Sequence, residues 1–392
     1  VVTPEYGTTQ GRVVLFYVAV ENTLSSYGNG DVAEILAGAK YLGSKDHALV
    51  FIDDTDKPRL YDITCRQRDA KMAELQPVVS YEEDLDACSP EVFGSVLQFV
   101  RQNYPAPSYG LVMESHGSGW VPPFPETNPD NRNAWGVKRR SFGYDNGQNT
   151  LVNSGTQLSI NDMRDQLLQF GLFDFILFDA CFMQNIETAY QLRHCARYII
   201  GSPAEIPAFG APYDTMLQPM FSDTAYVEGM VQKYYDYYLD DMLYGVLLSA
   251  VDCSQLEHVA AVTAPYVKAC KDTLLNMSYQ EVQDYFWWNT YNMYSYPDFY
   301  DMQGLMRTAL DEADFEAWHA EFQKLFVCQR HTDYWYSAFN RSAFNRVDSL
   351  QYSGISMHVP LQKYASRNKW FASAYYETDW AKAVWNEDDT SE

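Results

Sequence analysis

Long apolar runs, basic side chains and paired cysteines are all scarce in this chain, and each shortage removes a class of protein. No stretch of about 18 apolar residues occurs, so no membrane-spanning helix is predicted; the apolar run Val13 to Val20 has strand length. Lys plus Arg number 28 against 52 Asp plus Glu, and the net charge of -24 repels nucleic acid phosphates and anionic membrane surfaces. Nucleic acid is not expected as a partner on that ground. The same field would draw cationic peptides, although it serves equally well to keep a protein soluble. The seven cysteines, at 65, 88, 181, 195, 253, 270 and 328, contain no C-x-x-C pair and are too sparse for a disulfide framework, so at least one free thiol is expected. There is no H-E-x-x-H, and Asp53-Asp54-Thr55-Asp56 lacks the later Gly and Glu of an EF-hand loop. The chain starts at Val1 with no Met and no basic-then-apolar leader, which suits a mature chain trimmed of its targeting segment, and export is the expectation.

What is present is a large apolar inventory, 47% of 392 residues, enough for one large domain with a substantial extension or for two domains. Strand-type and helix-type runs alternate through the first half, the pattern of a mostly parallel sheet covered by helices. Strands are predicted at Arg12 to Val20, Ala48 to Ile52, Gly110 to Met113, Phe173 to Phe178 and Tyr198 to Gly201. Helices are predicted from Asp31 to Leu42 with Asp31 as cap, from Ser89 to Asn103, from the Ser159 cap to Phe170, and from Gln184 to Cys195. Trp120 to Asn153, rich in Pro, Asn, Gly and charge, reads as an exposed loop with a short hairpin around Gly143 to Asn146. The second half carries long helical stretches, strands at Val246 to Val251 and Gly354 to Val359, and an aromatic-rich segment from Tyr279 to Tyr300. No internal repeat or low-complexity tract is present.

Two residues stand where chemistry collects in an open parallel sheet, just past the carboxyl ends of strands. His116 follows the third predicted strand and Cys181 the fourth, with the small residues Gly117, Gly119 and Ala180 leaving room for a substrate backbone. A cysteine thiolate is a strong nucleophile and an imidazole can protonate a leaving amine, so the pair suits peptide cleavage. Singly, a buried Cys or a lone His is more often structural; together at one sheet edge they form a catalytic candidate. Three competing motifs fail. Gly28-Asn29-Gly30-Asp31-Val32-Ala33 matches G-x-G-x-x-A with Asp53 and Asp54 downstream, as in a nicotinamide oxidoreductase, but Glu21 to Tyr27 separate it from the strand end where the first Gly must turn. His116-Gly117-Ser118-Gly119 has no G-x-S-x-G nucleophile elbow to serve; Gly354 to His358 comes nearest and ends in His. Phe286-Trp287-Trp288 with Tyr291, Tyr294 and Tyr296 could be a sugar or peptide platform, but such clusters are more often core.

Glu114-Ser115-His116-Gly117-Ser118-Gly119-Trp120 and Phe178-Asp179-Ala180-Cys181-Phe182-Met183 resemble the clostripain-like cysteine peptidases, relatives of caspases, legumains and gingipains. Weaker matches at Gly28-Asn29-Gly30-Asp31 and Gly354-Ile355-Ser356-Met357 extend the likeness over most of the chain. The resemblance implies a caspase-haemoglobinase-like α/β fold, a mostly parallel sheet flanked by helices, with a catalytic domain at 1–215 and a C-terminal α/β extension at 216–392. It implies His116 as general acid/base and Cys181 as nucleophile, with the backbone N–H groups of Gly117 and Cys181 as oxyanion hole. It places Asp179 beside the primary specificity pocket, which commonly takes Arg or Lys. Phe209 stands where relatives of basic preference carry a second acid, and an aromatic ring cannot pair a buried guanidinium. Glu205 or Asp214 would supply the acid if the loop is shifted. Lys138-Arg139-Arg140 lies in the loop where such relatives cut themselves. No cofactor is expected; calcium dependence is known among such relatives, and no calcium site is legible. The expected partner is a peptide or protein substrate, with no oligomeric state implied. A catalytically silent binding module on the same fold is the alternative from a different class.

Overall fold

The computed structural model describes residues 11–121, 141–145, 147, 155–241, 243–288, 296–338, 343–365 and 369–385. Its strands in chain order are β1 (Arg12–Ala19), β2 (His47–Asp53), β3 (Arg59–Ile63), β4 (Val79–Ser80), β5 (Ser108–Glu114), β6 (Phe142–Asp145), β7 (Thr156–Leu158), β8 (Phe173–Asp179), β9 (Ala196–Gly201), β10 (Leu247–Asp252), β11 (Asp284–Trp288), β12 (Tyr296–Asp301), β13 (Phe326–His331), β14 (Tyr334–Tyr336), β15 (Phe344–Arg346) and β16 (Ser356–Met357). Nine of them make one sheet in the order β13-β10-β9-β8-β5-β1-β2-β3-β4. The central five, from β9 to β2, are parallel. Antiparallel strands close both edges, β3 and β4 on one side and β10 and β13 on the other.

The first strand shows why a continuous apolar run was needed. Val13, Leu15 and Tyr17 enter one core while Val14, Phe16 and Val18 enter a second core on the opposite face. Each such side chain contributes roughly 1.5–3 kcal/mol through burial, so both faces must be apolar. The helices α1 (Ser25–Ala37), α2 (Pro90–Asn103), α3 (Ile160–Phe170), α4 (Ile186–Gln191), α5 (Tyr213–Met220), α6 (Tyr226–Tyr238) and α7 (Leu256–Asn276) divide between those faces. α2, α3, α4 and α7 cover the first core, and α1, α5 and α6 the second. Ser89 caps α2 by accepting from Val92 N at 3.2 Å, and Ser159 caps α3 by accepting from Asp162 N at 3.0 Å, as their sequences predict.

Two helices differ from expectation. α1 starts at Ser25 rather than Asp31, and Asp31 is a buried residue within it. Its glycines cost helix propensity, but tertiary packing overrides that cost: a Cβ on Gly28 would lie 2.7 Å from Val20 Cγ2, so only Gly lets α1 sit against β1. Gly28-Asn29-Gly30 is therefore inside a helix and not in a strand-exit turn, which removes the basis of the dinucleotide reading. α4 spans Ile186–Gln191, shorter at both ends than the predicted Gln184 to Cys195; at its start Gln184 N donates to Ser202 O, Gln184 O accepts from Ser356 N, and Asn185 serves as the cap. Tyr291 and Tyr294 of the aromatic segment, and the side chains of Phe286, Trp287, Trp288 and Tyr296, lie outside the described residues. No helix among the described residues is long and apolar enough to cross a membrane.

Candidate active site

β5 and β8 are neighbours in parallel register, with Glu114 opposite Asp179. His116 and Cys181 each follow two residues later, so the sheet carries both to equivalent places at its carboxyl edge. The two loops touch at Gly117, where an added Cβ would lie 2.4 Å from the Cys181 carbonyl oxygen. A side chain there would push the loops apart, which is the physical need for glycine beside His116. The loop then runs against β6. Gly143 N donates to His116 O at 2.8 Å and Ser118 N donates to Ser141 O at 3.1 Å. This bridge uses the groups flanking Gly117 and leaves the Gly117 N–H out of the ladder.

His116 is held from two sides. Its Nε2 lies 2.9 Å from Thr23 Oγ1, and its ring stands 5.5 Å from that of Tyr144. Asn22 ties the two walls together by donating to Tyr144 O at 3.1 Å and to Ala19 O at 3.2 Å. Ser115 Oγ donates to Ala19 O at 2.5 Å, anchoring the His116 loop to the end of β1.

Cys181 opens a strained turn. Phe182, the next residue, has φ of 62°, a left-handed conformation that costs a non-glycine residue about 1–3 kcal/mol. The turn is held by Asn185 Nδ2 donating to Phe182 O at 2.8 Å and by Phe182 N donating to Ala204 O at 3.0 Å. Ser356 of β16 supports it from behind by donating to Gln184 O at 3.1 Å, which accounts for the late Gly354 to Met357 match. The Cys181 thiol sits 3.9 Å from Ile206 O. Burial, reinforced by the Glu205 carboxylate, pushes it up to about 12. The free protein thus carries a neutral thiol at neutral pH, and attack requires a base.

The four residues expected at the specificity side occupy different environments. Asp179 is buried; Tyr213 OH at 2.7 Å and Ala211 N at 2.8 Å donate to its Oδ2, and Tyr234 OH at 2.7 Å donates to its Oδ1. Nearby, burial raises Asp31 and Glu34 to about 7, and burial with the Asp31 carboxylate raises Glu114 well above the usual carboxylate range. Glu205 accepts from Ser337 Oγ and, at 3.1 Å, from Ala338 N. Asp214 lies in the first turn of α5. Phe209 is 52% exposed, with Tyr27 at 5.5 Å and Tyr244 at 6.1 Å between ring centroids. Lys138, Arg139 and Arg140 lie outside the described residues.

Thr23, Tyr144, Tyr213, Tyr234 and Asn185 escaped the sequence reading. Their contributions depend on long-range contacts, and only the Asn185 cap before a helix had a local signal. All seven cysteines are free; Cys88, Cys195, Cys253 and Cys270 are buried, whereas Cys65, Cys181 and Cys328 are partly accessible.

Comparison with known proteins bears on the family and the fold. Clostripain from Hathewaya histolytica is 24% identical over 204 residues, which are 47% of this chain and only 36% of clostripain's own length. A crystal structure of a secreted C11 cysteine protease from Bacteroides thetaiotaomicron, bound to an irreversible peptide inhibitor, superposes with a TM-score of 0.76 at 26% identity, covering 97% of this chain and 100% of that one. An inactive zymogen C11 protease from Parabacteroides distasonis gives 0.76 at 28% identity, over 98% and 99% of the two chains. The model of the Peptidase C11 family, the clostripain family, matches residues 16–389. The chain belongs to the clostripain family.

Proposed function

We propose that this chain is a cysteine endopeptidase that cleaves peptide bonds with Cys181 as nucleophile and His116 as general acid/base. The observation that carries this reading is the placement of both residues two positions beyond paired parallel strands, with Gly117 packed on the Cys181 carbonyl. His116 takes the thiol proton as Sγ attacks the scissile carbonyl, and the developing oxyanion is received by the N–H groups of Gly117 and Cys181. The C–N bond then breaks, and the amine leaves with the proton from His116. Water, deprotonated by His116, hydrolyses the thioester and releases the acid. Residues 1–215 supply these groups, with 216–392 packed against them, and the secreted relative favours export.

The residue before the cut is uncharged and apolar or aromatic. A guanidinium entering the pocket would meet Asp179 already bonded to three donors and Glu205 already bonded to the segment at Ser337. Its desolvation would go uncompensated, while Phe209, Tyr27 and Tyr244 offer an aromatic rim. A peptide-library digest with Cys181→Ala protein as control tests both statements. Cleavage after apolar or aromatic residues should exceed cleavage after Arg or Lys by about tenfold or more. The Lys138 to Arg140 stretch should stay uncut on long incubation. Cys181-dependent cuts mainly after Arg or Lys, in the library or at 138–140, would reverse the specificity reading.

A further inference from the structure

We infer that Phe209, Tyr244, Tyr336 and Phe344 form a second recognition surface, a strip that takes apolar side chains of the substrate polypeptide preceding the cut; this rests on Cys181 as nucleophile and His116 as acid. The four rings follow one another across the surface. Their centroids lie 6.1 Å apart from Phe209 to Tyr244, 6.1 Å from Tyr244 to Tyr336 and 5.8 Å from Tyr336 to Phe344. Phe209 is 52% exposed, Phe344 55% and Tyr336 39%, with Tyr244 half-buried between them. A contiguous run of exposed rings marks an interaction site, whereas apolar residues exposed singly need no explanation.

The strip is continuous with the Cys181 edge of the sheet. Phe209 belongs to the loop after β9 whose Ile206 O lies 3.9 Å from the Cys181 thiol. Tyr336 ends β14, and the next residue, Ser337, donates through Oγ to Glu205, while Ala338 N donates to the same carboxylate at 3.1 Å. Glu205 therefore pins the β14–β15 hairpin to the loop beside the thiol. A Cβ on Gly245 would collide with Tyr334 O, so the chain beside Tyr244 packs backbone to backbone on β14, which keeps the Tyr244 ring in line with Tyr336.

Geometry selects the occupant. Successive rings stand at 72°, 80° and 72° to one another, and this edge-to-face arrangement leaves slots between rings rather than one flat face for a sugar to stack on. The ring-to-ring steps approach the roughly 6.6 Å between side chains on one face of an extended chain. Alternate residues of an extended peptide would thus meet successive slots. Topology sets the direction. His116 lies on the β5 side of Cys181 and protonates the departing amine, so the residues after the cut lie on that side. The loops before and after β9, β10 and β13 carry the strip, and these strands lie on the other side of β8. The residues before the cut, held on sulfur after the first step, run toward Tyr336 and Phe344.

The test compares two peptides of equal length with the same residue at the cut, one carrying Phe or Leu at alternate positions before it and one carrying Ser there. Wild type should favour the apolar peptide by about tenfold or more in kcat/KM, mainly through KM. Tyr336→Ala combined with Phe344→Ala should cut that preference below about threefold. Leu168→Ala, which trims a 49% exposed side chain near the amino end of β8, opposite Cys181, should leave it intact. Both strip residues are exposed, so the double variant should melt within about 2 °C of wild type. Binding is read separately in Cys181→Ala protein with the fluorescent apolar peptide, where the double variant should weaken affinity by about tenfold. Binding there without cleavage of either peptide by wild type would strike the peptidase reading and leave the strip as a peptide-binding surface. No binding, cleavage without the preference, or a preference or affinity that survives in the double variant would overturn the strip. An oligosaccharide bound in place of the peptide, or a dimer that Phe344→Ala dissolves with peptide affinity unchanged, would overturn it as well.

Discussion

Cys181→Ala is expected to lower peptide cleavage to the uncatalysed background while the protein keeps a single cooperative melting transition. The proposed acyl intermediate forms on the Cys181 sulfur, so the loss is that of the whole covalent route. The fold should tolerate the change because the substitution removes one sulfur from a partly accessible residue at a strand end, a far smaller deletion than the Leu→Ala cavities that cost about 2–5 kcal/mol. The left-handed turn at Phe182 is held by Asn185 and Ala204, which the substitution leaves untouched. Measuring kcat/KM on a cleavable peptide together with a thermal melt separates the two effects. Turnover near the wild-type rate would remove Cys181 from the mechanism.

His116→Ala should reduce kcat/KM on peptide amides by about 10²–10⁴. The neutral thiol, raised to about 12 by burial and Glu205, needs a base to become nucleophilic, and the departing amine needs an acid. An activated ester carries a leaving group that departs without protonation, so the same variant should lose less on an ester than on the matching amide. Equal losses on the two substrates would mean that His116 does not protonate the leaving group. Thr23 and Tyr144, which hold the ring, would then be structural contacts only.

The central sheet was legible because burial on both faces leaves a continuous apolar run, as in Val13 to Val18, and helix caps such as Ser89 and Ser159 mark their own positions. His116 and Cys181 could be placed from sequence because each lies directly after such a run. The start of α1 was misread because Gly28 looks like a loop residue until Val20 and Ile52 are seen packed against it. Close approach between elements leaves no local mark. The same limit hid the donors on Asp179: Tyr213 and Tyr234 lie 34 and 55 residues away in the chain.

Covalent labelling by a peptide carrying a thiol-reactive ketone, followed by mass spectrometry, tests the assignment of Cys181 and His116 most directly. Cys65 and Cys328 are also partly accessible, so exposure alone would spread the label over three sites. The account predicts one adduct per chain, on Cys181, abolished in Cys181→Ala and strongly slowed in His116→Ala. Label on Cys65 or Cys328 with Cys181 unmodified, or equal labelling rates with and without His116, would contradict it.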